Sequence, residues 1–418
     1  MTASTDVAIV GGGPAGALTA MLLARRGLEV VVLERAPQWR WRACGVFTSP
    51  ATVMVLRDAG VAPADLVRVA RPIPTMRVET PRGTSFALSY GGTHETGGSS
   101  VGLDRSALDP LLLVMAGLAG AEVRQGVAVD EVDLLEGRSR GGGPGARSTL
   151  ALSDGGRLAA RVVVGADGPR SLVATAAGVA KSAPLGRRIG LSFHVPERAN
   201  PPVAAGAQIG VDSPREARMV IIEDGYIGLA PVPGGRVNVG IVLGSPWQSR
   251  LRAAGASAVA TTILERVLPA EAAGIERQVL DHVAGAVPLG AAVRRRAGAG
   301  WLLVGDAAGF LDPFTGDGLH RSVVSARVAD DVIARALARP GTAYLAEHDR
   351  AMRAQFGRKD LVSRLVHVFL SQPALFEYAA RRLAARRHVR ETMGLVIGDL
   401  LPASRALDPR FLAALLAP

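Results

Sequence analysis

DVAIVGGGPAG, residues 6–16, followed by VVVLE at 30–34, sets the architecture of this chain. Residues 7–10 (VAIV) form a short, wholly apolar run, as a parallel strand buried on both faces requires. Gly11, Gly13 and Gly16 then spell G-x-G-x-x-G, with Pro14 and Ala15 inside the same turn. The first glycine makes the tight turn, the second lets backbone approach a pyrophosphate, and the third lets the helix pack closely on the strand. Apolar positions from Ala17 to Leu23 continue as that helix, which Arg25-Arg26-Gly27 ends with cations and a C′ glycine. A second apolar strand delivers Glu34, which can accept hydrogen bonds from a ribose and repels a 2′-phosphate. A glycine triplet alone means little in a chain with 50 glycines. In register with strand, helix, second strand and acid, it specifies a dinucleotide site.

The remaining composition narrows the class. A length of 418 residues accommodates two or three domains. No run of about 18 residues is free of charges and breakers, so no membrane span is expected. The first residues lack a basic n-region and are already committed to the nucleotide fold, so they do not read as a signal peptide. One cysteine excludes an intramolecular disulfide framework and suits a reducing cytoplasm. The net charge is +11, and all but Lys181 and Lys359 of the 48 basic residues are arginines, a bias that GC-rich coding alone would produce. No basic stretch is interleaved with aromatics, so a nucleic-acid partner is not expected. Arg381-Arg382, Arg386-Arg387, His388 and Arg390 form one dense cluster behind apolar Leu365–Leu370 and Pro373–Tyr378. The favoured reading is the solvated face of a helix; peripheral contact with an anionic membrane surface is the other.

Three further motifs follow strand-like runs. Val162–Val164 enters Gly165-Ala166-Asp167-Gly168-Pro169-Arg170-Ser171 and a helix from Leu172. Asp167 either bonds ligand hydroxyls and phosphates or simply closes an Asp-Gly turn. Trp301–Val304 enters Gly305-Asp306-Ala307-Ala308-Gly309, where Asp306 can accept hydrogen bonds from ribityl hydroxyls and the alanines permit close approach. A loop shaped by Pro313, Gly316 and Gly318 leads to a helix starting near Asp317–Leu319, whose positive end points back at the site. The third, Asp104-Arg105-Ser106, opens an apolar helix with Asp104 as N-cap and Arg105 within reach of a phosphate or adenine edge. Gly141–Gly145 has no helix after it and reads as a hairpin loop. Beyond Gly341 the chain is expected to be helical, with breaks at Pro373 and Pro402.

In this order the motifs resemble the single-Rossmann flavoprotein family of aromatic-ring hydroxylases and geranylgeranyl reductases, over roughly residues 5–330. GGGPAG with Glu34 is similar to its ADP-binding fingerprint, GADGPRS to its DG motif, and GDAAGFLDPFTGDG to its flavin-ribityl motif. The resemblance implies an α/β fold: a Rossmann-type FAD-binding domain (1–70, 101–185 and 281–342), an antiparallel sheet domain for substrate (71–100 and 186–280) and a helical C-terminal region (343–418). It implies FAD as the tightly bound cofactor and NAD(P)H as a transient electron donor without a Rossmann domain of its own. Carried over residue by residue, the cofactor contacts are Gly11, Gly13, Pro14, Ala15, Gly16, Glu34, Arg35 and Arg42, then Cys44, Gly45, Arg105 and Val127. Asp167, Gly168, Gly305, Asp306, Pro313, Gly316, Gly318 and Leu319 complete them. No metal site is expected.

Within the family, Cys44-Gly45-Val46-Phe47-Thr48-Ser49-Pro50 and the FLDPFTGDG loop resemble the geranylgeranyl reductase branch, as do Asp224-Gly225-Tyr226 and Val237-Asn238-Val239-Gly240. Two departures fall in the pocket lining. The branch's Y-x-W-x-F-P run is Tyr226-Ile227-Gly228-Leu229-Ala230-Pro231 here, and residue 320 is His. A related halogenase would need a tunnel lysine and W-x-W-x-I-P. Trp39-Arg40-Trp41 lacks the Ile-Pro, and neither Lys181 nor Lys359 stands at a suitable position.

Reduction of a C=C bond needs hydride from the flavin and a proton donor opposite, for which Cys44, Tyr226 and His320 are the candidates. Cys44 and His320 serve equally well as packed core residues. The leading expectation is reduction of an isoprenoid or polyketide-like double bond in a small hydrophobic substrate. NAD(P)H- and O2-dependent hydroxylation is the alternative, and a non-catalytic flavin- or lipid-binding protein the third. Phe47, Phe86, Tyr90, Phe193, Ile221 and Leu229 are the expected apolar pocket walls.

Overall fold

The structure is a computed structural model that describes residues 3–42, 45–90, 99–135, 146–182, 188–197, 216–272, 282–339 and 344–417. Strand Ala3–Val10 lies at the centre of the first sheet, parallel to Val30–Glu34 on one side and Arg157–Gly165 on the other. Its residues Val7, Ala8 and Ile9 are fully buried, as two covered faces demand. Glu122–Gln125 extends the parallel sheet beyond Val30–Glu34, and Trp301–Leu303 extends it beyond Arg157–Gly165. Ser148–Leu152 and Val129–Asp133 add an antiparallel flank to the first half of Arg157–Gly165. The Gly141–Gly145 loop lies outside the described residues. Helices Pro14–Arg25, Arg105–Leu118 and Gly318–Ala338 bury a shared core on one face of this sheet. Leu150, Val163, Val173 and Trp301 fill the other face.

The second sheet runs Ala284–Ala286, Ile189–Pro196, Arg236–Leu243, Gly225–Val232, Ala217–Ile222, Thr75–Glu79, Ser85–Ser89. Every pairing is antiparallel except Ala217–Ile222 with Thr75–Glu79. Because strand side chains alternate, its two faces carry different cores. Phe193, Ile227, Leu229 and Ile241 pack against helix Gln248–Val267. Met76, Leu88, Met219, Tyr226 and Val242 face the C-terminal helices. This corrects two expected pocket walls: Phe193 and Leu229 stand on the face away from the FLDPFTGDG loop, because their strand positions are out of phase with Tyr226.

The C-terminal helices are Tyr344–Leu370, Pro373–Ala385, Arg387–Ile397 and Pro409–Leu416. Pro373 and Pro409 occupy first-turn positions, where a missing N–H costs nothing. Buried Glu377 clamps this region to the second sheet by accepting from Thr80 Oγ1 at 2.6 Å and from Thr84 Oγ1. Gly394 lies so close to the sheet that a Cβ there would stand 2.2 Å from the Ser89 carbonyl oxygen. The arginine cluster is partly built into the fold. Arg390 donates to the carbonyls of Leu383 (3.1 Å) and Ala384 (2.8 Å), and Arg386 to those of Ala414 and Ala417, covering helix ends whose carbonyls lack helical partners. Exposed Arg381 is ion-paired with buried Glu377, and Arg387 with Glu391 on the surface. Among the described residues no helix is long and apolar enough to cross a membrane.

Candidate active site

Three turns meet at the carboxyl end of the parallel strands, where open α/β sheets bind ligands. The first is Gly11–Gly16. Gly11 has φ +103°, and a Cβ on it would stand 2.4 Å from the Ala166 carbonyl oxygen in the second turn. A Cβ on Gly16 would stand 2.0 Å from the Gly11 oxygen, and one on Gly305 would stand 2.8 Å from the Ala15 Cβ. These glycines are therefore fixed by contact of the turns with one another. Gly13 is different: a Cβ there would meet nothing within 4 Å. It is the N-cap of helix Pro14–Arg25, with no side chain capping the first-turn amides. Backbone N–H groups and the helix dipole thus face an open cradle suited to a phosphate. Pro14 and Ala15 are buried behind it.

Glu34 is buried and already bound by the chain. Its Oε2 accepts from Gly12 N at 2.8 Å, and its Oε1 from Ala36 N at 2.9 Å and Arg42 Nη2 at 3.2 Å. Arg35 is exposed beside it, and Val127 N donates to the Glu34 carbonyl at 3.1 Å. Gly45 is exposed, and Cys44 lies outside the described residues. Asp167 closes its turn with one oxygen and leaves the other unpartnered: Oδ2 accepts from Leu172 N at 2.6 Å, while Oδ1 is buried without a partner. Burial pushes its carboxyl above the ordinary range, opposed by hydrogen bonds from the following turn. Gly168 beside it has φ +82° and leaves open space where a Cβ would be. No hydrogen bond reaches the Asp306 carboxylate among the described residues, and burial raises it to about 6, against the attraction of Arg105 and Arg321. Arg105 itself is held by Asp109 in a bidentate pair at 2.6 and 2.8 Å. An orphaned carboxylate oxygen, a second carboxylate without a partner and an open amide cradle fit a dinucleotide with hydroxyl-bearing arms.

Phe310–Gly318 joins these turns to the second sheet. Pro313–Thr315 forms a single helical turn closed by left-handed Gly316, whose Cβ would stand 2.6 Å from the Phe47 ring. Asp317 accepts from Thr315 Oγ1 at 2.9 Å and Arg321 Nε at 2.8 Å, and Arg321 reaches Asp360 on helix Tyr344–Leu370 at 2.5 Å. Asp317 stays below the usual carboxylate range although burial opposes this, because Arg321 and Lys359 favour its charge. Gly318 and buried Leu319 open the next helix. His320 is buried one turn on, 3.4 Å from Thr52 Oγ1 and edge-on to Phe356; burial lowers its basicity.

Sequence reasoning missed the group at the centre of this loop. Asp312, 4% exposed, accepts from Tyr226 Oη at 2.5 Å, Arg188 Nη1 at 2.6 Å and Phe314 N at 2.9 Å, and His367 Nε2 stands 3.3 Å from its Oδ1. Arg188 lies 124 residues from Asp312 and 179 from His367, so no local pattern connects them. Asp312 stood inside the FLDPFTGDG motif, next to a proline, and that was the one available signal. Trp41 was likewise missed: it packs on His194 at 4.4 Å and donates to the Ser192 carbonyl at 3.0 Å, which ties Trp41 to the second sheet.

On the sheet side of Phe314 and Thr315 lies an apolar cavity of about 20 Å3, walled also by Phe47, Met76, Val78, Leu88, Tyr90, Met219 and Ile397. Neither lysine lines it: Lys359 is paired with Asp399, and Lys181 stands exposed on the short strand Ala180–Lys181.

Residues 4–359 match the family model described as FAD binding domain. Digeranylgeranylglycerophospholipid reductase 2 of Methanopyrus kandleri is 31% identical over 84% of this chain and 83% of its own. Menaquinone reductase of Mycobacterium tuberculosis is 28% identical over 88% of this chain and 85% of its own. A flavoprotein/dehydrogenase from Cytophaga hutchinsonii superposes with a TM-score of 0.74 at 18% identity, over 98% of this chain and 95% of the other, and so shares the fold.

Proposed function

The chain is an FAD-dependent oxidoreductase of the FAD binding domain family, and from that premise we propose that it reduces carbon–carbon double bonds in the isoprenoid chain of a lipid or prenylated quinone. What supports this reading is the similarity to a digeranylgeranylglycerophospholipid reductase and a menaquinone reductase, and the apolar lining against Phe314 and Thr315 accords with it: its walls offer hydrocarbon and aromatic surface, and its two hydroxyls belong to Tyr90 and Thr315. Both are engaged, Tyr90 Oη with Met76 Sδ at 3.5 Å and Thr315 Oγ1 with Asp317. Such a wall recognises a hydrocarbon chain by burial and has no spare polar group to orient a phenol.

With NAD(P)H as the proposed source of electrons, a bound and reduced flavin would supply hydride chemistry to one carbon of the double bond. Gly13 and the first-turn amides of Pro14–Arg25 would hold its pyrophosphate, and Asp167 and Asp306 would accept from its hydroxyls. The Phe310–Gly318 loop would border the reacting groups, and the C-terminal helices over the second sheet would keep water out. NAD(P)H would supply the hydride and solvent, ultimately, the proton for the other alkene carbon, so the product gains two hydrogens and no oxygen. With oxygen excluded, NADPH-driven conversion of a geranylgeranyl lipid to its saturated form is expected at an undiminished rate. A strict requirement for O2 and an oxygenated product would instead establish the hydroxylase.

We also assign a peripheral contact with an anionic bilayer to the outward face of helix Tyr344–Leu370. What supports it is Leu361, Leu365 and Val368, 48%, 36% and 52% exposed at helical spacing, beside Arg358 and Arg364, which have no ion-pair partner among the described residues. Apolar side chains among unpaired arginines complement anionic headgroups above acyl chains. The protein is expected to sediment with phosphatidylglycerol-containing vesicles far more than with phosphatidylcholine alone, and Leu361→Gln/Leu365→Gln to abolish this. Equal recovery with both vesicles, or no effect of the variant, would remove the contact.

A further inference from the structure

We propose that Asp312 is a positioning residue of the proposed reduction, fixing the direction of the Tyr226 hydroxyl through the buried group it forms with Arg188 and His367. This rests on the reductase reading for its kinetics only.

The geometry determines where the protons sit. Arg188 Nη1 lies 3.2 Å from His367 Nδ1 and can only donate, so Nδ1 is an acceptor and the imidazole proton is on Nε2, facing Asp312. Asp312 is thus surrounded by donors, and the Tyr226 O–H must donate to it at 2.5 Å. A phenol whose proton is committed to a buried carboxylate turns its lone pairs, not its hydrogen, toward anything else that approaches. Tyr226 then orients by accepting and by its ring, which meets Phe314 edge-on at 5.1 Å. Phe314 receives the same instruction twice, since its own N–H also donates to Asp312. The carboxylate therefore fixes two groups together: the Tyr226 phenol and Phe314, whose ring meets the phenol and lines the apolar cavity. Arg188, with its guanidinium 5.6 Å from the Tyr226 ring centre, compensates the Asp312 charge, and His367 ties the group to helix Tyr344–Leu370. Burial raises the Tyr226 phenol far above its ordinary range, and the Asp312 charge raises it further.

The test pairs kinetics with a readout that needs no substrate. In the FAD-loaded protein, Asp312→Asn is expected to lower kcat at least about tenfold with little change in KM for a geranylgeranyl lipid. In a Tyr226→Phe background the same substitution should cost less than about twofold, because residues acting as one unit are not additive. Phenolate absorbance, taken as the difference between each protein and its Tyr226→Phe counterpart, should appear about one to three pH units lower in Asp312→Asn than in wild type. His367→Gln leaves the Arg188–Asp312 pair intact and should give a smaller loss of kcat, again absent in the Tyr226→Phe background. It keeps the test open if Asp312→Asn does not fold. Additive losses, or a phenolate step unmoved by Asp312→Asn, would overturn the assignment. A wild-type protein that does not reduce the lipid would defeat the reductase reading and leave the phenolate titration to decide this one.

Discussion

Gly16→Ala should yield a chain that retains no FAD and unfolds well below the wild-type temperature. The added Cβ would stand 2.0 Å from the Gly11 carbonyl oxygen and 3.0 Å from the Ala166 Cβ. Neither neighbour can retreat. Gly11 is held at φ +103° against Ala166, and Ala166 N is bonded to the Val10 carbonyl at 2.8 Å. Overpacking backbone against backbone at a fixed turn costs at least about 3 kcal/mol. Gly13→Ala separates fold from ligand, because its Cβ meets no atom of the chain. That variant should melt at the wild-type temperature yet bind FAD at least about tenfold more weakly, a loss of about 1.4 kcal/mol. Thermal melts and flavin absorbance after gel filtration check both. If Gly13→Ala kept FAD as wild type does, the phosphate cradle would be misplaced.

Asp306→Ala should weaken FAD binding about 10- to 100-fold, the loss of charge-assisted hydrogen bonds at about 1.5–3 kcal/mol. The same residue gives the site its pH dependence. Burial lifts the free carboxyl to about 6, and hydroxyl donors favour its ionised form. FAD affinity should therefore rise as pH increases through about 6 and level off above it, with Asp306→Ala flattening the curve. The stability of the ligand-free chain has the opposite sign. A carboxyl raised by folding stabilises the fold below its unfolded value and loses that contribution as pH rises through about 6. Asp306→Asn should thus stabilise the ligand-free chain at neutral pH while weakening its hold on FAD, the exchange expected at a binding site. Titration of FAD binding against pH, with calorimetric melts of both proteins, checks the pair of signs.

The parts of this site that were legible in the sequence share one property: each is written in consecutive residues. Gly11–Gly16 announces itself because strand, turn and helix must follow in order, and the strand ends at Gly165 and Val304 do so because each apolar run stops at a small-residue turn. Asp104 is the expected N-cap, accepting from Ser106 N at 2.9 Å. Contacts made by folding were not legible. Tyr226 and Asp312 are 86 residues apart, and Arg188 and His367 converge on them from a strand edge and a C-terminal helix. Phe193 and Leu229 were apolar in the right segment, but sheet phase, which depends on which strands pair, put them on the opposite face. The arginine cluster was visible as charge. Its use of Arg386 and Arg390 to cover carbonyls depended on where helices Pro373–Ala385 and Pro409–Leu416 end in space.

The reductase reading is tested most directly by a single turnover without oxygen. Protein reduced by dithionite under nitrogen would be mixed with a geranylgeranyl lipid, following the oxidised-flavin band and the product mass together. The expected result is return of the oxidised band at a rate set by lipid concentration, with one C=C bond saturated per flavin. A band that stays bleached until air is admitted, with lipid unchanged or oxygenated, would contradict it.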